Sequence, residues 1–397
     1  MIPVSQAIEI VKQNTPRLKT ETAALEFACQ RILAQPIIAD MDMPPFNRSQ
    51  MDGYAVKASD TKNAPVRLRI VGESSAGKSW SGKLKVGEAV RIMTGAALPE
   101  GASAVQKLEV TSENGEFVEI FESANKGQNI ISKGAEIEQG KLIFSAGEIV
   151  NASMIASLAA FGYANILVGM RPKVAVLSTG NEIVNVNQLP LPDQIRNSNT
   201  PTLRVYAEQY GAIVESLPII GDELGQLKEH IKEAAAKSDV LVLTGGVSVG
   251  KYDLTKLALN ELGATIYFEK IALRPGKPMV FARLHNTLIF ALPGNPVSAV
   301  VTFLLFVRMS LLQLQGASDI KLKSGAAVLA KTLKGARERD SYLPVRLSIE
   351  DDAQLIAEPF KWGGSSDFVS FAKADALVII PQNTTIVAGK IAKIVFL

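Results

Sequence analysis

The chain has 397 residues, with 42 basic and 39 acidic side chains and a formal net charge of +3. That length exceeds one ordinary core and predicts about two to four domains, while charge so evenly spread offers no footprint for a nucleic-acid surface. One cysteine and two histidines argue against an internal disulfide, a histidine or cysteine zinc site and Ser-His catalysis, leaving an acidic metal site open.

Residues 3 to 35 carry helical periodicity, broken by Pro16 and ended before Pro36. Cys29 sits in the helical-looking ALEFACQRILA and reads as an inert thiol of a reducing compartment. No signal peptide opens the chain, so a soluble, cytoplasmic protein with no membrane or nucleic-acid partner is expected. After DMPPFNRSQMDGYAV, residues 42 to 56, the pattern changes to short strands such as VRLRIVG, AVRIM and FVEIFE, predicting a small β module. Within it, GESSAGKS at 72 to 79 has the spacing of a phosphate-binding Walker loop. Such a loop needs a helix directly after its lysine and serine, and WSGKLKVGEAV follows instead, so it reads as a chance match. Helical spacing returns at NASMIASLAAFG, residues 151 to 162, which predicts that this segment rejoins the opening helices, with the β module as an insertion.

From RPKVAVLSTG onward strands and helices alternate. Strands are predicted at 173–178, 212–218, 239–243, 265–271, 279–284 and 287–292, with helices such as DELGQLKEHIKEAAAK between them. Alternation of this kind implies a mostly parallel sheet covered on both faces, with ligands at the carboxyl ends of the strands. Three loops rich in small and polar residues leave strands there: STGNEI at 178–183, TGGVSVGKYD at 244–253 and LPGNPVSA at 292–299. Thr244, Gly245, Gly246, Ser248 and Gly250 let backbone amides approach a ligand and supply hydroxyls. Asp253 opens a helical segment, so an anionic ligand is expected at that loop. The apolar run VSAVVTFLLFV before Arg308 is too short to span a bilayer. The last 80 or so residues read as strands again, in GAAVLAKTL, YLPVRLSI, ALVIIP and IAKIVFL, predicting a closing β domain that also holds WGGSSD at 362–367.

Taken in order, NRSQMDGYAV, RIMTGAALPEGASAV, STGNEI, GGVSVGKYD, RPGKP and LPGNPVSA resemble the motifs of the molybdopterin molybdenumtransferase family, the MoeA type, related to the E domain of gephyrin. The resemblance covers essentially the whole chain. It implies a multi-domain α/β plus β fold: a helical connecting domain (1–45 and 136–170), an inserted β domain (46–135), a three-layer α/β molybdopterin-binding core (171–317) and a C-terminal β domain (318–397). The implied activity is molybdenum cofactor biosynthesis, in which molybdate enters adenylylated molybdopterin with Mg²⁺-dependent hydrolysis of the phosphoanhydride and release of AMP. A CinA-like nucleotide pyrophosphate hydrolase and a pterin-binding scaffold are the alternatives.

The same resemblance implies the site. Glu182, Asp222 and Asp253 are the candidates for Mg²⁺ and catalysis, since a hard cation takes oxygen ligands; Asp222 and Asp253 also suit helix N-termini, where the dipole favours a carboxylate. Thr179, Gly180, Thr244, Gly245, Gly246, Ser248, Gly250, Pro293, Gly294, Asn295 and Pro296 would hold the pterin substrate, with Lys270, Arg274 and Lys277 supplying positive charge. Arg274 stands where the family commonly has lysine. Asp52 would act in trans across a homodimer with shared active sites, together with Glu136, where the family usually has aspartate. Arg339 and Ser365, or their neighbours Arg337 and Ser366, would receive molybdate. The implied partners are a second copy of the chain and the adenylyltransferase that supplies the substrate.

Overall fold

The computed structural model describes residues 1–246, 254–351 and 353–397. The chain forms two compact units, one of residues 1–35, 146–155 and 165–397, the other of residues 36–145 and 156–164.

The first unit is built on a six-stranded sheet in the order Ile213–Ser216, Lys173–Ser178, Val240–Thr244, Thr287–Leu292, Pro278–Leu284, Thr265–Lys270. The first four strands are mutually parallel, and Pro278–Leu284 is antiparallel to both of its neighbours. Alternation along the central strands sorts their side chains onto opposite faces. Val174, Val176, Val240 and Val242 pack with Leu203 and Ala207 of the helix Asn199–Gln209. Ala175, Leu177, Leu241 and Leu243 pack instead with Leu227 and Ile231 of the helix Leu224–Lys237 and with Ala258 and Leu259 of Leu254–Glu261. Both faces are therefore dry, which is why these strands read as unbroken apolar runs.

Phe290 anchors the first of these cores, fully buried and stacked on Phe281 with ring centroids 4.8 Å apart. Phe290→Ala is expected to lower the unfolding free energy by about 3–5 kcal/mol, through lost transfer energy and the cavity left behind. Urea denaturation with an unchanged m-value checks this.

The apolar run before Arg308 belongs to a longer helical segment, Pro296–Leu314, interrupted by a π-helical stretch at Phe303–Val307. By length and composition this segment could cross a membrane, but 94% of its apolar window is buried inside the fold, which accounts for its composition. Arg308 is accommodated because its guanidinium donates to the carbonyls of Ile320 and Lys321 and lies over the ring of Tyr210.

Two expectations for the amino-terminal segment need correction. The helix covers only Val4–Asn14, and the chain then forms a strand, Thr20–Ala24, antiparallel to Asn165–Gly169. Residues 25–27 make a single 3-10 turn, and Cys29 lies exposed in a turn rather than on a helix. Helical spacing over 20–35 loses because the apolar strand NILVG offers a partner 140 or so residues away, and cross-strand pairing overrides weak local propensity.

The remainder of this unit is the carboxyl-terminal β structure. Strands Ser324–Leu329, Asp340–Ile349, Leu355–Pro359, Ala376–Ile380 and Ile391–Phe396 close into a ring, since Asp340–Ile349 pairs with both Leu355–Pro359 and Ala376–Ile380. The short strand Leu273–Arg274 joins this sheet, setting Arg274 opposite Ser341.

The second unit carries a six-stranded sheet ordered Ala104–Lys107, Gly53–Val56, Glu88–Ile92, Val66–Ser74, Phe117–Ile120, Thr111–Asn114. The Walker-like residues 72–79 run from the end of a strand into a tight turn in which Ser75 and Lys78 exchange backbone hydrogen bonds. No helix follows, so the phosphate cradle that such a loop requires is absent.

Candidate active site

Register fixes the site. Ser178 pairs with Thr244 and Thr244 with Leu292, so the loops that begin at Thr179, Gly245 and Pro293 leave the sheet side by side. They border a cleft of about 1140 Å³ lined by Thr179, Glu182, Thr244, Gly245, Gly246, Pro293, Gly294, Asn295 and Pro296. Ligands in open α/β sheets bind at this edge because adjacent loops diverge there and leave backbone amides unpaired.

The loops pack at backbone contact. A Cβ at Gly245 would lie 2.2 Å from the carbonyl oxygen of Thr179, and φ here is +93°. Gly246 has φ of +65°, and a Cβ there would meet the hydroxyls of Thr255 at 2.8 Å and Thr179 at 3.0 Å. Both hydroxyls are buried, at 0% and 4% relative exposure, without a partner among the described residues. Buried hydroxyls are costly unless something satisfies them, and of the two only Thr179 borders the cleft, where it could donate to an oxygen acceptor.

Asn199 was not anticipated. Its amide donates to the Thr244 hydroxyl and to the Gly294 carbonyl, both at 2.7 Å, tying two of the loops to the start of the helix Asn199–Gln209. Beneath it, Ser178, Asn197 and Thr200 form a buried network, with Ser178 and Thr200 hydroxyls 2.6 Å apart. The signal in the sequence is RNSNT, four side chains suited to helix starts where a helical run opens. Ser198, Pro278, Ser366 and Phe368 also line the cleft without having been singled out for the pterin.

The acidic candidates separate. Glu182 lines the cleft, is exposed, and forms no ion pair with another described residue. Asp222 does not line it; its backbone N–H donates to the Asn181 side chain, one residue before Glu182. Ser248, Gly250 and Asp253 lie outside the described residues. No group of three or more His, Cys, Asp or Glu side chains gathers among the described residues. The oxygen chemistry around Glu182, a carboxylate with nearby hydroxyls, fits Mg²⁺, which is commonly held by one or two carboxylates with water and substrate phosphate completing its shell.

The basic candidates stand apart from the cleft wall. Lys270 ends its strand opposite Pro278, itself a lining residue, and Lys277 is half-buried beside it. Arg274 pairs opposite Ser341, and Asp340 donates its N–H to the Ala272 carbonyl, which brings Arg339 to the same strand edge. None of Lys270, Arg274, Lys277, Arg337 and Arg339 is in an ion pair with another described residue. Ser365 accepts a 2.9 Å bond from the Asn295 amide, and its carbonyl receives the Val297 N–H; its neighbour Ser366 lines the cleft.

In the second unit, Asp52 is exposed and receives the Thr94 backbone N–H at 2.7 Å. This bond, reinforced by the Thr94 side chain, holds its carboxyl below the ordinary aspartate range. The stabilisation that this confers is therefore present above the unfolded-state pKa and is lost as pH falls through the lower, folded value. A carboxyl-resolved NMR titration is expected to find Asp52 ionising below a free aspartate, with the Thr94 amide resonance titrating alongside it. Glu136 is ion-paired with Arg48 at 3.0 Å.

A cleft at the carboxyl edge of a mostly parallel sheet, walled by glycine loops and the buried Thr179 hydroxyl, defines a multidomain α/β protein with a candidate small-molecule site. Family profiles described as MoeA N-terminal region (domain I and II), Probable molybdopterin binding domain and MoeA C-terminal region (domain IV) match residues 2–162, 175–313 and 326–397. The chain is 37% identical over 392 residues to a molybdopterin molybdenumtransferase of Bacillus subtilis (strain 168), covering 96% of this chain and 91% of that protein. It is 34% identical to one of Staphylococcus aureus (strain COL), covering 96% and 92%. A crystal structure of a molybdopterin biosynthesis MoeA protein from Pyrococcus horikosii superposes with a TM-score of 0.83 at 33% identity, over 100% of this chain and 99% of the other. The chain belongs to the molybdopterin molybdenumtransferase family.

Proposed function

We propose that this protein acts in molybdenum cofactor biosynthesis as a molybdopterin molybdenumtransferase, inserting molybdate into adenylylated molybdopterin with release of AMP. The observation that carries the reading is the cleft formed by the Thr179, Gly245 and Pro293 loops, with the buried Thr179 hydroxyl, unpartnered among the described residues, on its wall, in a chain of this family.

The chemistry needs little from the protein beyond positioning and electrostatics. Loop amides and the Thr179 and Thr244 hydroxyls would hold the substrate's phosphate oxygens, and the Asn199 clamp would keep them aligned before reaction. Glu182, on the cleft wall, would hold Mg²⁺ together with Asp253, while Asp222, off that wall, would not ligate it directly. When bound, the cation would offset charge on the phosphoanhydride as its P–O bond to the departing AMP breaks. Lys270, Arg274 and Lys277 would attract the anionic pterin, and Arg339 with Ser365 or Ser366 the molybdate dianion. Asp52 would act from a second copy of the chain in a homodimer with shared active sites, and its depressed pKa suits a group that must stay ionised. Glu136, paired with Arg48, would orient that region rather than react. The setting is cytoplasmic, with an adenylyltransferase supplying the substrate.

Reconstitution tests this reading. Purified protein, adenylylated molybdopterin, molybdate and Mg²⁺ should yield a cofactor that activates a cofactor-free molybdoenzyme. Pterin binding without such activation would leave a scaffold role in its place.

A further inference from the structure

Between the short paired strands Ile183–Val184 and Ile195–Arg196 the chain runs out as an arm, residues 185–194. Its hydrogen bonds with described residues stay within the arm or go to Arg196. The Asn185 and Leu191 N–H groups donate to the side chains of Gln188 and Gln194, closing two local turns, and Arg196 Nε donates to the Gln188 carbonyl at 2.9 Å. The tip is apolar yet uncovered, with Leu189 86% and Leu191 62% exposed. Open space lies on two sides of it. Val186 borders both the main cleft and a groove of about 450 Å³ formed with Pro201, Leu217, Pro218 and Ile219. Few buried contacts and purely local bonds make such a segment one that moves as a unit at low cost. Arg196 connects it to the site. Among the described residues it is the one lysine or arginine lining the cleft, and it is in no ion pair with another of them.

We propose that residues 185–194 are a lid over the cleft, and that Arg196 positions it by binding an anionic oxygen of the ligand while its Nε holds the arm. The inference rests on the reading of the cleft as a site for a phosphorylated ligand. A guanidinium carries five N–H donors in one plane, so a single arginine can keep its bond to Gln188 and still present two terminal nitrogens to a phosphate. An anion in the cleft would draw Arg196 inward, and the arm would follow through Gln188. Leu189 and Leu191 would then lose water over a cleft whose wall already carries Phe368, 51% exposed, and this burial favours the closed position. Without an anion nothing opposes the open one. Closure would exclude water from the phosphoanhydride, and it would also act on the metal candidate, because the Ile195 N–H donates to the Glu182 carbonyl at 2.8 Å.

The test is hydrogen exchange read by mass spectrometry on the full chain, with and without inorganic pyrophosphate in Mg²⁺, beside calorimetric titration of the same probe. Saturating pyrophosphate should slow exchange across residues 185–194 by about tenfold or more. Arg196→Gln should weaken pyrophosphate binding by about tenfold or more, the loss of hydrogen bonds to a charged group, and should remove the protection. Arg196→Lys keeps the charge but has no Nε to hold Gln188, so it should recover part of the affinity and none of the protection. Leu189→Ser combined with Leu191→Ser, both at exposed sites, should lose the protection while pyrophosphate still binds. Pyrophosphate binding that leaves exchange across 185–194 unchanged would overturn the lid, though the cleft reading stands. A lysine at 196 that binds no better than glutamine, or a glutamine that binds as the native chain does, would overturn the anion contact. If the native chain does not bind pyrophosphate at all, the cleft reading fails and the lid with it.

Discussion

Glu182→Gln is expected to lower kcat for molybdate-dependent AMP release by about 10²–10³-fold, the cost of removing one preorganised charge from a reacting centre. KM for adenylylated molybdopterin should change by less than about threefold. The split follows from position. Glu182 is the one acidic candidate that lines the cleft among the described residues, and it pairs with no described cation, so its charge is available to a metal or to the reacting phosphate. Substrate binding is assigned to other groups, the loop amides and hydroxyls, which the substitution leaves in place. A loss confined to kcat marks an interaction realised only in the transition state. Raising Mg²⁺ should recover part of the rate if the carboxylate acts through the cation. An unchanged kcat would remove Glu182 from the catalytic set.

Gly245→Ala is expected to abolish substrate binding and to cost about 2–5 kcal/mol of stability, combining left-handed strain with overpacking. The added methyl would meet the Thr179 carbonyl oxygen at 2.2 Å, and that oxygen belongs to the backbone of the neighbouring loop. Relief therefore requires the loops to separate. Separation would disturb the 2.9 Å bond from the Thr179 N–H to the Thr244 carbonyl and the 2.7 Å bond from Asn199 to the Thr244 hydroxyl. Thermal denaturation and AMP titration on the same preparation check both parts. Gly263→Ala is a useful control, because its φ of +76° carries the same backbone strain while a methyl there meets nothing within 4 Å. A Gly245→Ala protein that binds AMP normally would show that close loop packing does not shape the site.

The α/β core was legible in the sequence because its strands are buried on both faces. VAVL at 174–177 and VLVL at 240–243 are apolar without interruption, and small residues follow each at the carboxyl end. The loops at Thr179, Gly245 and Pro293 could be named from that pattern alone. Asn199 could not, because its two partners lie 45 and 95 residues further along, and only the folded sheet brings them to it. Thr20–Ala24 misled in the opposite direction, since its strand character comes from Asn165–Gly169 and not from its own composition. Glu182 and Asp222 show a finer limit. Both follow a strand and both match the motif of a metal site, yet the side chain of one lines the cleft and that of the other does not. Spacing along a loop does not determine which way each side chain turns.

The most direct test of the transferase reading is AMP release from adenylylated molybdopterin by the native chain in Mg²⁺, measured as molybdate is raised from zero. The account predicts release that depends on molybdate and matches, mole for mole, the molybdenum taken up by the pterin. AMP release at the same rate without molybdate, or tight pterin binding with no release at any molybdate concentration, would contradict it.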